Sequence, residues 1–333
     1  MATRWGIAGA GKIAHDFIST LRSMEHHEVV AVADEYFPQN ARDLSKLHGI
    51  PTIHLTYDEL ASDTNVDIVY VAVIQPYHHT VGKVILNRGK AMLMEKPFTL
   101  NPQFTRELIE LAAQKKCFMM EAVWTRFLPS YRKMAECISS GQIGEVRYVN
   151  ANFGLALDPG CRNKRLAVGG GAVLEFGIYL CNVCCMAFGS ERPIRIAAVG
   201  HVNDEGVDET TGILLQYTRG RLANLTASTE TALPCNAVVV GTKGKIEIPG
   251  MMWCSPSVIT PDGVTHEFPF PDTALPCNYD NSSGLRYEAR EVSQCLKEGR
   301  LQSAIMPHSE TQLLSDMMYE IRKQIGVFYP QES

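Results

Sequence analysis

The sequence has no strong excess of charge of either sign and no long uninterrupted apolar run. Its 31 Lys and Arg residues nearly balance 36 Asp and Glu residues, which leaves a formal net charge of -5 over 333 residues. This balance lacks the basic surface that binds nucleic acid or an anionic membrane. A membrane-spanning helix needs about 18 or more consecutive apolar residues, and we expect none here. The sequence therefore predicts neither a nucleic-acid partner nor a membrane partner.

A secretory signal and a disulfide framework are also missing. The opening segment TRWGIAGAG reads directly as a strand, without the apolar region and cleavage site of a signal peptide. Ten cysteines are scattered through the chain, and the C-x-x-C at Cys181 and Cys184 has no second pair to complete a zinc site. We expect buried, reduced thiols, no metal site and a cytoplasmic location.

The first 125 residues alternate between strand-like and helix-like segments. Nearly continuous apolar runs such as DIVYVAVI are separated by segments with a period of 3.6 residues, which is typical of a parallel, doubly wound sheet. Beyond residue 125, strand-like segments separated by turns such as TKGK and PDGV predict a largely antiparallel sheet. The predicted fold class is α/β plus α+β, in two domains.

A glycine-rich turn follows the first predicted strand and precedes a predicted helix. Residues 9–14, GAGKIA, have the form G-x-G-x-x-A of a dinucleotide-binding turn. Gly9 permits the tight turn, Gly11 lets the backbone approach a pyrophosphate, and Ala14 lets the helix pack closely on the sheet. The predicted cofactor-binding residues of this turn are Gly9, Gly11, Lys12, Ile13 and Ala14. The alternative is a glycine turn that binds no nucleotide.

Asp34 ends the second predicted strand and bears on the choice of cofactor. A carboxylate at this position accepts hydrogen bonds from the adenosine ribose hydroxyls of NAD and repels the 2′-phosphate of NADP. Glu35 follows, and the first basic residue after it is Arg42, so these residues favour NAD. The alternative is that Asp34 turns away and that Arg42 or another cation holds the phosphate of NADP.

The segment KAMLMEKP, residues 90–97, joins an apolar strand to Glu95, Lys96 and Pro97. Ligands of a doubly wound sheet bind beyond the carboxyl ends of its strands, so Lys96 is predicted at the cofactor cleft. Pro97 restricts the preceding backbone to an extended conformation and permits a cis peptide bond. The alternative is an ordinary salt bridge between Lys96 and a nearby acid.

Glu175 and Tyr179 lie four residues apart in a predicted helix and therefore share one of its faces. The preceding glycines, 169–171, allow close approach to a strand or ligand. A tyrosine hydroxyl near a lysine can exchange the proton of a carbinol. The alternative is a core tyrosine and a surface acid. Two other segments receive a structural interpretation: His26-His27 as a solvated loop, and 251–256 as a sheet edge, a dimer surface or core.

Four segments together resemble the glucose-fructose oxidoreductase/inositol dehydrogenase family, and the similarity extends over essentially the whole chain. They are GAGKIA, MEKPFTLN, MEAVWTRFLP and GGGAVLEFGIY. Within the family, the chain is most similar to the branch of dimeric dihydrodiol dehydrogenases, also described as NADP-dependent D-xylose dehydrogenases. The resemblance implies a Rossmann domain at residues 1–125. It also implies an open-faced sheet domain at 126–333 that binds substrate and forms a homodimer.

The resemblance also implies roles for individual residues. Lys96 and Tyr179 match the catalytic lysine and tyrosine, and Glu175 stands where the family usually has Asp. The implied cofactor contacts are Pro76, His78, Glu95 and Lys96, and the implied substrate contacts are Trp124, Arg126 and Phe153. Asp34 departs from the pattern, because NADP-dependent members carry an arginine just after the second strand.

The expected activity is NAD(P)-dependent oxidation of a secondary alcohol of a cyclic trans-diol or aldose. Tyr179 would take the hydroxyl proton while Lys96 assists by charge and hydrogen bonding, and the hydride would pass to the nicotinamide. Which of the two is the immediate base stays open. The alternatives are a reductase of dicarbonyls or ketosugars and a non-catalytic nicotinamide-binding redox regulator. The presence of both Lys96 and Tyr179 favours catalysis.

Overall fold

The chain forms two compact units in a computed structural model that describes residues 2–332. The first unit comprises the chain up to Thr99, Gln103–Phe127 and Phe270–His308. The second unit comprises Leu100–Pro102, Leu128–Pro269 and the chain from Ser309 onwards. Neither unit is therefore one continuous stretch of sequence.

The strands and helices are numbered in chain order across residues 2–332. The strands are β1 (Thr3–Ala8), β2 (His27–Ala33), β3 (Thr52–His54), β4 (Ile68–Val71), β5 (Ala91–Glu95), β6 (Met119–Ala122), β7 (Val146–Gly154), β8 (Arg195–Val202), β9 (Asp208–Gln216), β10 (Leu222–Ser228), β11 (Ala237–Gly241), β12 (Lys245–Ile248), β13 (Ser257–Ile259) and β14 (Thr265–Glu267). The helices are α1 (Lys12–Leu21), α2 (Pro38–His48), α3 (Tyr57–Ser62), α4 (His78–Asn87), α5 (Pro102–Lys115), α6 (Pro129–Ser139), α7 (Ile178–Phe188), α8 (Leu285–Lys297) and α9 (His308–Ile325).

The first unit is built on a six-stranded parallel sheet with the order β3-β2-β1-β4-β5-β6. Every residue of β4 and β5 is buried, as expected for parallel strands whose two faces are both covered. The predicted Rossmann-type sheet is confirmed. The strand order reverses between β1 and β4, and such a reversal opens the crevice where dinucleotides bind. The short elements β3 and α3 were not among the predicted ones.

The second unit contains an eight-stranded sheet with the order β14-β13-β12-β11-β7-β10-β9-β8. Strands β7 and β10 are parallel, and the other neighbours are antiparallel. In β10, the buried residues Ala223, Leu225 and Ala227 alternate with more exposed ones, because one face of the sheet packs against the core. The predicted open-faced, largely antiparallel sheet is confirmed.

One apolar segment of the second unit is longer than we predicted from the sequence. Leu166–Phe188 is long and apolar enough to cross a membrane, contrary to the expectation that no such stretch exists. Within this segment, a π-helical turn, Val173–Gly177, is followed directly by α7. Because 89% of the apolar window is buried inside the structure, the segment has the surroundings of a core helix.

Phe270–His308 belongs to the first compact unit, although the predicted division at residues 125 and 126 places it in the second domain. Asp16 on α1 is 0% exposed and accepts hydrogen bonds from the Asn278 and Tyr279 backbone amides, at 2.8 and 2.9 Å. It also accepts one from the Ser282 hydroxyl, at 2.7 Å. These contacts join residues more than 260 positions apart, which local periodicity does not reveal.

Candidate active site

The glycine-rich turn after β1 is held against the end of β2. The Gly9 amide donates to the Ala33 carbonyl at 2.8 Å. Gly9 has φ +93°, and a Cβ there would lie 2.8 Å from the Ala72 carbonyl, so only glycine fits. At Gly11, by contrast, a Cβ would meet no atom within 4 Å. The turn thus leaves open space at the N-terminus of α1, which begins at Lys12, and helix N-termini favour bound phosphate.

The other predicted residues around this turn differ in burial. Lys12 is exposed, Ile13 is half-buried and Ala14 is 0% exposed, as its predicted packing role requires. Pro76 is half-buried in the short helical turn Gln75–Tyr77 that follows β4. Contacts of these residues with a cofactor remain predictions.

The Asp34 carboxylate points towards the glycine-rich turn. It accepts hydrogen bonds from the Ala10 amide at 3.0 Å and from the Phe37 amide at 2.9 Å. One amide from the glycine-rich turn and one from the segment after β2 thereby orient the side chain. The residue is only 6% exposed. Arg42 lies on α2, where its guanidinium contacts the Gln39 side chain at 3.4 Å. The residues fit a dinucleotide whose ribose hydroxyls approach Asp34.

Glu95 directly precedes Lys96 in the chain, and its side chain contacts the Lys96 backbone amide. One Glu95 carboxylate oxygen accepts the Tyr70 hydroxyl at 2.5 Å, and the other accepts the Lys96 amide at 3.2 Å. The peptide bond between Lys96 and Pro97 is cis, in agreement with the conformation that the sequence permits. Burial, together with the neighbouring Glu95 charge, raises the pKa of Tyr70 and keeps its phenol protonated. The carboxylate is therefore a fixed support for the backbone of Lys96.

His78 joins the segment after Lys96 to the segment after β4. Its Nδ1 lies 2.9 Å from the Pro97 carbonyl and 3.1 Å from the Phe98 carbonyl, and its Nε2 lies 2.9 Å from the Val73 carbonyl. The residue is 1% exposed, and burial lowers its pKa. The structure thus places His78, an implied cofactor contact, at the start of α4 and beside the backbone that follows Lys96.

Trp124 and Arg126 lie in a short helical turn, Trp124–Phe127, and both are buried. The Arg126 guanidinium donates to the Ile305 carbonyl at 3.0 Å. Ile305 belongs to the segment that returns to the first unit. The orientation of Arg126, a predicted substrate residue, therefore depends on a chain segment that the sequence analysis placed in the second domain.

In the second unit, Glu175 lies in the π-helical turn and Tyr179 follows at the start of α7. The π turn differs from the regular helix that the four-residue spacing assumed, and such turns are frequent at functional sites. A Glu175 carboxylate oxygen lies 3.7 Å from the Arg162 guanidinium. The Glu175 side chain is 17% exposed, and Tyr179 is 6% exposed.

Tyr179 belongs to an aromatic cluster with Phe153, Phe176 and Trp253. The Phe153 ring stacks on Phe176 and Trp253, with centroids 4.2 and 4.1 Å apart, and the Tyr179 ring lies 5.7 Å away. The structure thus brings the predicted catalytic tyrosine and a predicted substrate residue together. Trp253 was not among the predicted site residues, because a Trp beside methionines suits a core or an interface equally well.

The C-x-x-C pair on α7 is buried. Cys181 and Cys184 are both 0% exposed, and burial raises the pKa of the Cys181 thiol to about 12. Burial also raises the pKa of Cys184 well above its ordinary value. Both thiols are therefore protonated near neutral pH, as structural cysteines are.

Two family models match the chain, one in each half. The first, described as an oxidoreductase family with an NAD-binding Rossmann fold, matches residues 3–123. The second, described as the GFO/IDH/MocA C-terminal domain, matches residues 131–247. The chain is 42% identical over 335 residues to trans-1,2-dihydrobenzene-1,2-diol dehydrogenase of Danio rerio, covering 100% of both chains. It is 38% identical to the human enzyme of that name, covering 100% of this chain and 99% of the other.

Solved structures share the fold at lower identity. An aldose-aldose oxidoreductase from Caulobacter crescentus, complexed with glycerol, has a TM-score of 0.83 and 21% identity, covering 97% of both chains. A 3-ketoreductase from Actinomadura kijaniata, complexed with NADP and TDP-benzene, has a TM-score of 0.81 and 23% identity, covering 99% of both chains. An oxidoreductase from Agrobacterium radiobacter with NAD⁺ and L-tartaric acid has a TM-score of 0.83 and 16% identity, covering 97% and 96%.

Proposed function

Because the chain belongs to the GFO/IDH/MocA family of NAD-binding oxidoreductases, we propose that it oxidises one carbinol of a cyclic trans-diol. An aldose such as D-xylose is the second substrate class that we propose. The observation that carries the proposal is the full-length similarity to dehydrogenases named for a dihydrobenzene diol. Shared fold alone would not define a substrate, because one fold supports many chemistries.

The cofactor-binding part of the proposal rests on the first unit. The Gly9 turn, the open space at Gly11 and the N-terminus of α1 would bind the pyrophosphate. Asp34 would bind the adenosine ribose. When bound, the nicotinamide cofactor supplies the acceptor for the substrate hydride. Lys12, Ile13, Pro76 and His78 are proposed to complete this binding region.

In the proposed acid-base chemistry, Tyr179 in its phenolate form accepts the proton of the substrate hydroxyl, and the Lys96 charge favours that phenolate and stabilises the developing oxyanion. Glu175 orients the substrate hydroxyl or the tyrosine. Lys96 and Tyr179 lie in different compact units, so their pairing rests on the family resemblance of their two segments. Support within the first unit comes from Glu95, which holds the Lys96 backbone.

The substrate surface that we propose is the aromatic cluster around Phe153. Phe153 and Phe176 are only 3% and 4% exposed, so the flat apolar face that we propose for a ring-shaped diol is that of Trp253, which stacks on Phe153 and is half-buried. Glu175, which precedes Phe176 in the chain, pairs with Arg162, and we propose this pair as the source of polar groups for the substrate. Trp124 and Arg126 are proposed as further substrate contacts from the first unit.

We propose NAD as the preferred cofactor. The Asp34 carboxylate is held in place by two backbone amides, so it cannot easily move away from an approaching 2′-phosphate. Glu35 follows it directly and adds a second negative charge. Arg42, the first basic residue after Asp34, contacts Gln39 on α2.

A homodimer formed through the second-unit sheet is also proposed. The apolar side chains of Ile194, Val199 and Leu214 are 62%, 81% and 46% exposed at and beside β8 and β9, and exposed apolar patches mark interaction surfaces. We further propose a reducing, cytoplasmic location, which the ten free cysteines support.

The test of the function is a substrate screen with the purified full-length chain. NAD or NADP would be incubated with trans-dihydrobenzene diol, trans-cyclohexane-1,2-diol and D-xylose, and reduced cofactor would be followed by absorbance. Diol oxidation that is lost in Tyr179→Phe is the expected result. Turnover only of dicarbonyls or ketosugars with reduced cofactor would favour a reductase, and nucleotide binding without any turnover would favour a regulator.

A further inference from the structure

The last residues of the second unit form a buried network around Arg322 and Tyr329. Arg322 is 1% exposed, and its guanidinium lies 2.7 Å from a Glu332 carboxylate oxygen. The same guanidinium lies 4.8 Å from the centre of the Tyr329 ring. The Tyr329 amide donates to the other Glu332 oxygen at 2.8 Å. A buried ion pair is retained at a desolvation cost, and this one holds the Tyr329 ring in place.

The Tyr329 hydroxyl reaches the glycine turn that precedes the catalytic helix. It donates a hydrogen bond to the Gly170 carbonyl. The Gly170 amide donates to the Arg165 carbonyl at 2.9 Å, and the Gly171 amide donates to the Asn163 carbonyl at 2.8 Å. The turn is therefore bonded both by its own preceding loop and by the C-terminal segment.

Packing around Gly171 leaves no room for a side chain. Gly171 has φ +128°, and a Cβ there would lie 2.6 Å from the Asp208 Oδ1 and 3.0 Å from the Tyr329 hydroxyl. Asp208 is 0% exposed, and its Oδ2 accepts the Val173 amide, at the first residue of the π turn, at 2.8 Å. Asp208 and Tyr329 thus enclose the start of the helical segment.

A change in the conformation of this turn would alter the start of the helical segment that contains Glu175 and Tyr179. The Glu175 amide donates to the Gly171 carbonyl at 3.1 Å, so the first helical hydrogen bond starts at the turn that Tyr329 contacts. Tyr179 lies one further turn along the same continuous helical segment. Apolar packing of Leu174 with Tyr329 and Val327 links the two segments a second time.

We propose that Tyr329 is a positioning residue for Tyr179, because its hydroxyl holds the glycine turn from which the helix of Tyr179 begins. Arg322 and Glu332 act one step further away by orienting the Tyr329 ring. The inference rests on the proposed function, in which Tyr179 takes the substrate proton. It adds a residue near the C-terminus to the groups that determine the turnover rate.

The test is Tyr329→Phe in the full-length chain, because phenylalanine keeps the ring and its packing and removes only the hydroxyl. A hydrogen bond of this kind corresponds to about 3–10-fold in an equilibrium constant. We expect kcat for diol oxidation to fall by about that factor while KM for NAD stays unchanged. Amide hydrogen exchange should accelerate in residues 170–180 and not elsewhere in the second unit.

Two further variants keep the test decisive. Glu332→Gln weakens the ion pair with Arg322. It should produce a smaller fall in kcat and a smaller acceleration of amide exchange in residues 170–180. Phe328→Leu is the matched control, since Phe328 is 53% exposed, and it should change neither kcat nor exchange. Unchanged exchange in residues 170–180 of Tyr329→Phe, or acceleration spread evenly over the second unit, would overturn the proposal. Exchange requires no substrate, so absence of diol oxidation in the wild type would count against the proposed function alone.

Discussion

The two compact units hold their candidate catalytic residues by different means. Lys96 in the first unit follows a buried strand, and its backbone is supported by the adjacent residue, Glu95, which is itself bonded to Tyr70 on the neighbouring strand. Tyr179 in the second unit lies on a helix whose starting turn is held by Tyr329, 159 positions beyond Gly170. Local geometry thus supports the lysine, whereas a distant chain segment supports the tyrosine. A short sequence motif is therefore easier to interpret in the first unit than in the second.

The largest expected effect comes from removing either of the two proposed catalytic groups. Lys96→Met and Tyr179→Phe should each lower kcat by at least ~100-fold, because a positioned acid-base group is lost. If the two act as a unit, the double variant should lose little more than either single one. Steady-state kinetics with the preferred diol measure this, and Lys46→Met, at an exposed lysine on α2, is the control. Full activity in either variant would contradict the mechanism.

Glycine substitutions should separate folding from cofactor binding within the first unit. Gly9→Ala places a Cβ 2.8 Å from the Ala72 carbonyl at φ +93°, and a strained backbone residue costs about 1–3 kcal/mol, so thermal stability should fall. Gly11→Ala meets no atom within 4 Å, so it should melt like the wild type but bind NAD more weakly. Thermal unfolding and fluorescence titration measure the two effects. A Gly11→Ala variant with unchanged NAD affinity would show that no phosphate lies there.

Cofactor preference should change with substitutions in the first unit only. Asp34→Asn keeps the size of the side chain and removes its charge, so NADP affinity relative to NAD should rise by at least about tenfold, which corresponds to about 1.4 kcal/mol of relieved repulsion between like charges. Glu175→Gln in the second unit also removes a negative charge, and it should leave the ratio of NADP affinity to NAD affinity unchanged. Dissociation constants from fluorescence titration test both. Tighter binding of NADP by the wild type would contradict the NAD preference.

The smallest expected effect is a loss of stability in acid that originates in the first unit. Burial lowers the pKa of both His27 and His48 to about 4, and the His27 Nδ1 accepts the Trp5 indole N–H at 3.1 Å. The unfolded chain binds these protons more readily, with a pKa of about 6.5. The stabilisation is therefore complete above pH 6.5 and is lost as the pH falls towards 4.

Urea unfolding between pH 7.5 and 4.5 measures this loss. His27→Gln should flatten the pH dependence of the unfolding midpoint, because the titrating group is removed. His201→Gln, at an exposed position on β8 in the second unit, should leave the slope as in the wild type. Equal slopes for wild type and His27→Gln would show that His27 does not contribute.

Sequence reasoning was most successful where a motif and the element it requires are adjacent. The Gly9 turn follows a strand and precedes a helix, and Asp34 directly follows the next strand, so their relation to the parallel sheet could be predicted. It was less successful for His27, which was expected to be solvated and instead starts β2 and bonds to Trp5. The indole that contacts His27 lies 22 positions earlier in the chain, and a local pattern does not show such a partner.

The sequence by itself determined the two kinds of sheet, the glycine-rich turn and the family, because apolar periodicity and short motifs depend on neighbouring residues. Only the tertiary structure decided that Phe270–His308 joins the first unit and that Trp253 stacks on Phe153. It also decided that Tyr329 holds the turn before Tyr179. The physical reason is that these contacts form between side chains and backbone groups far apart in the chain, and packing in three dimensions selects them.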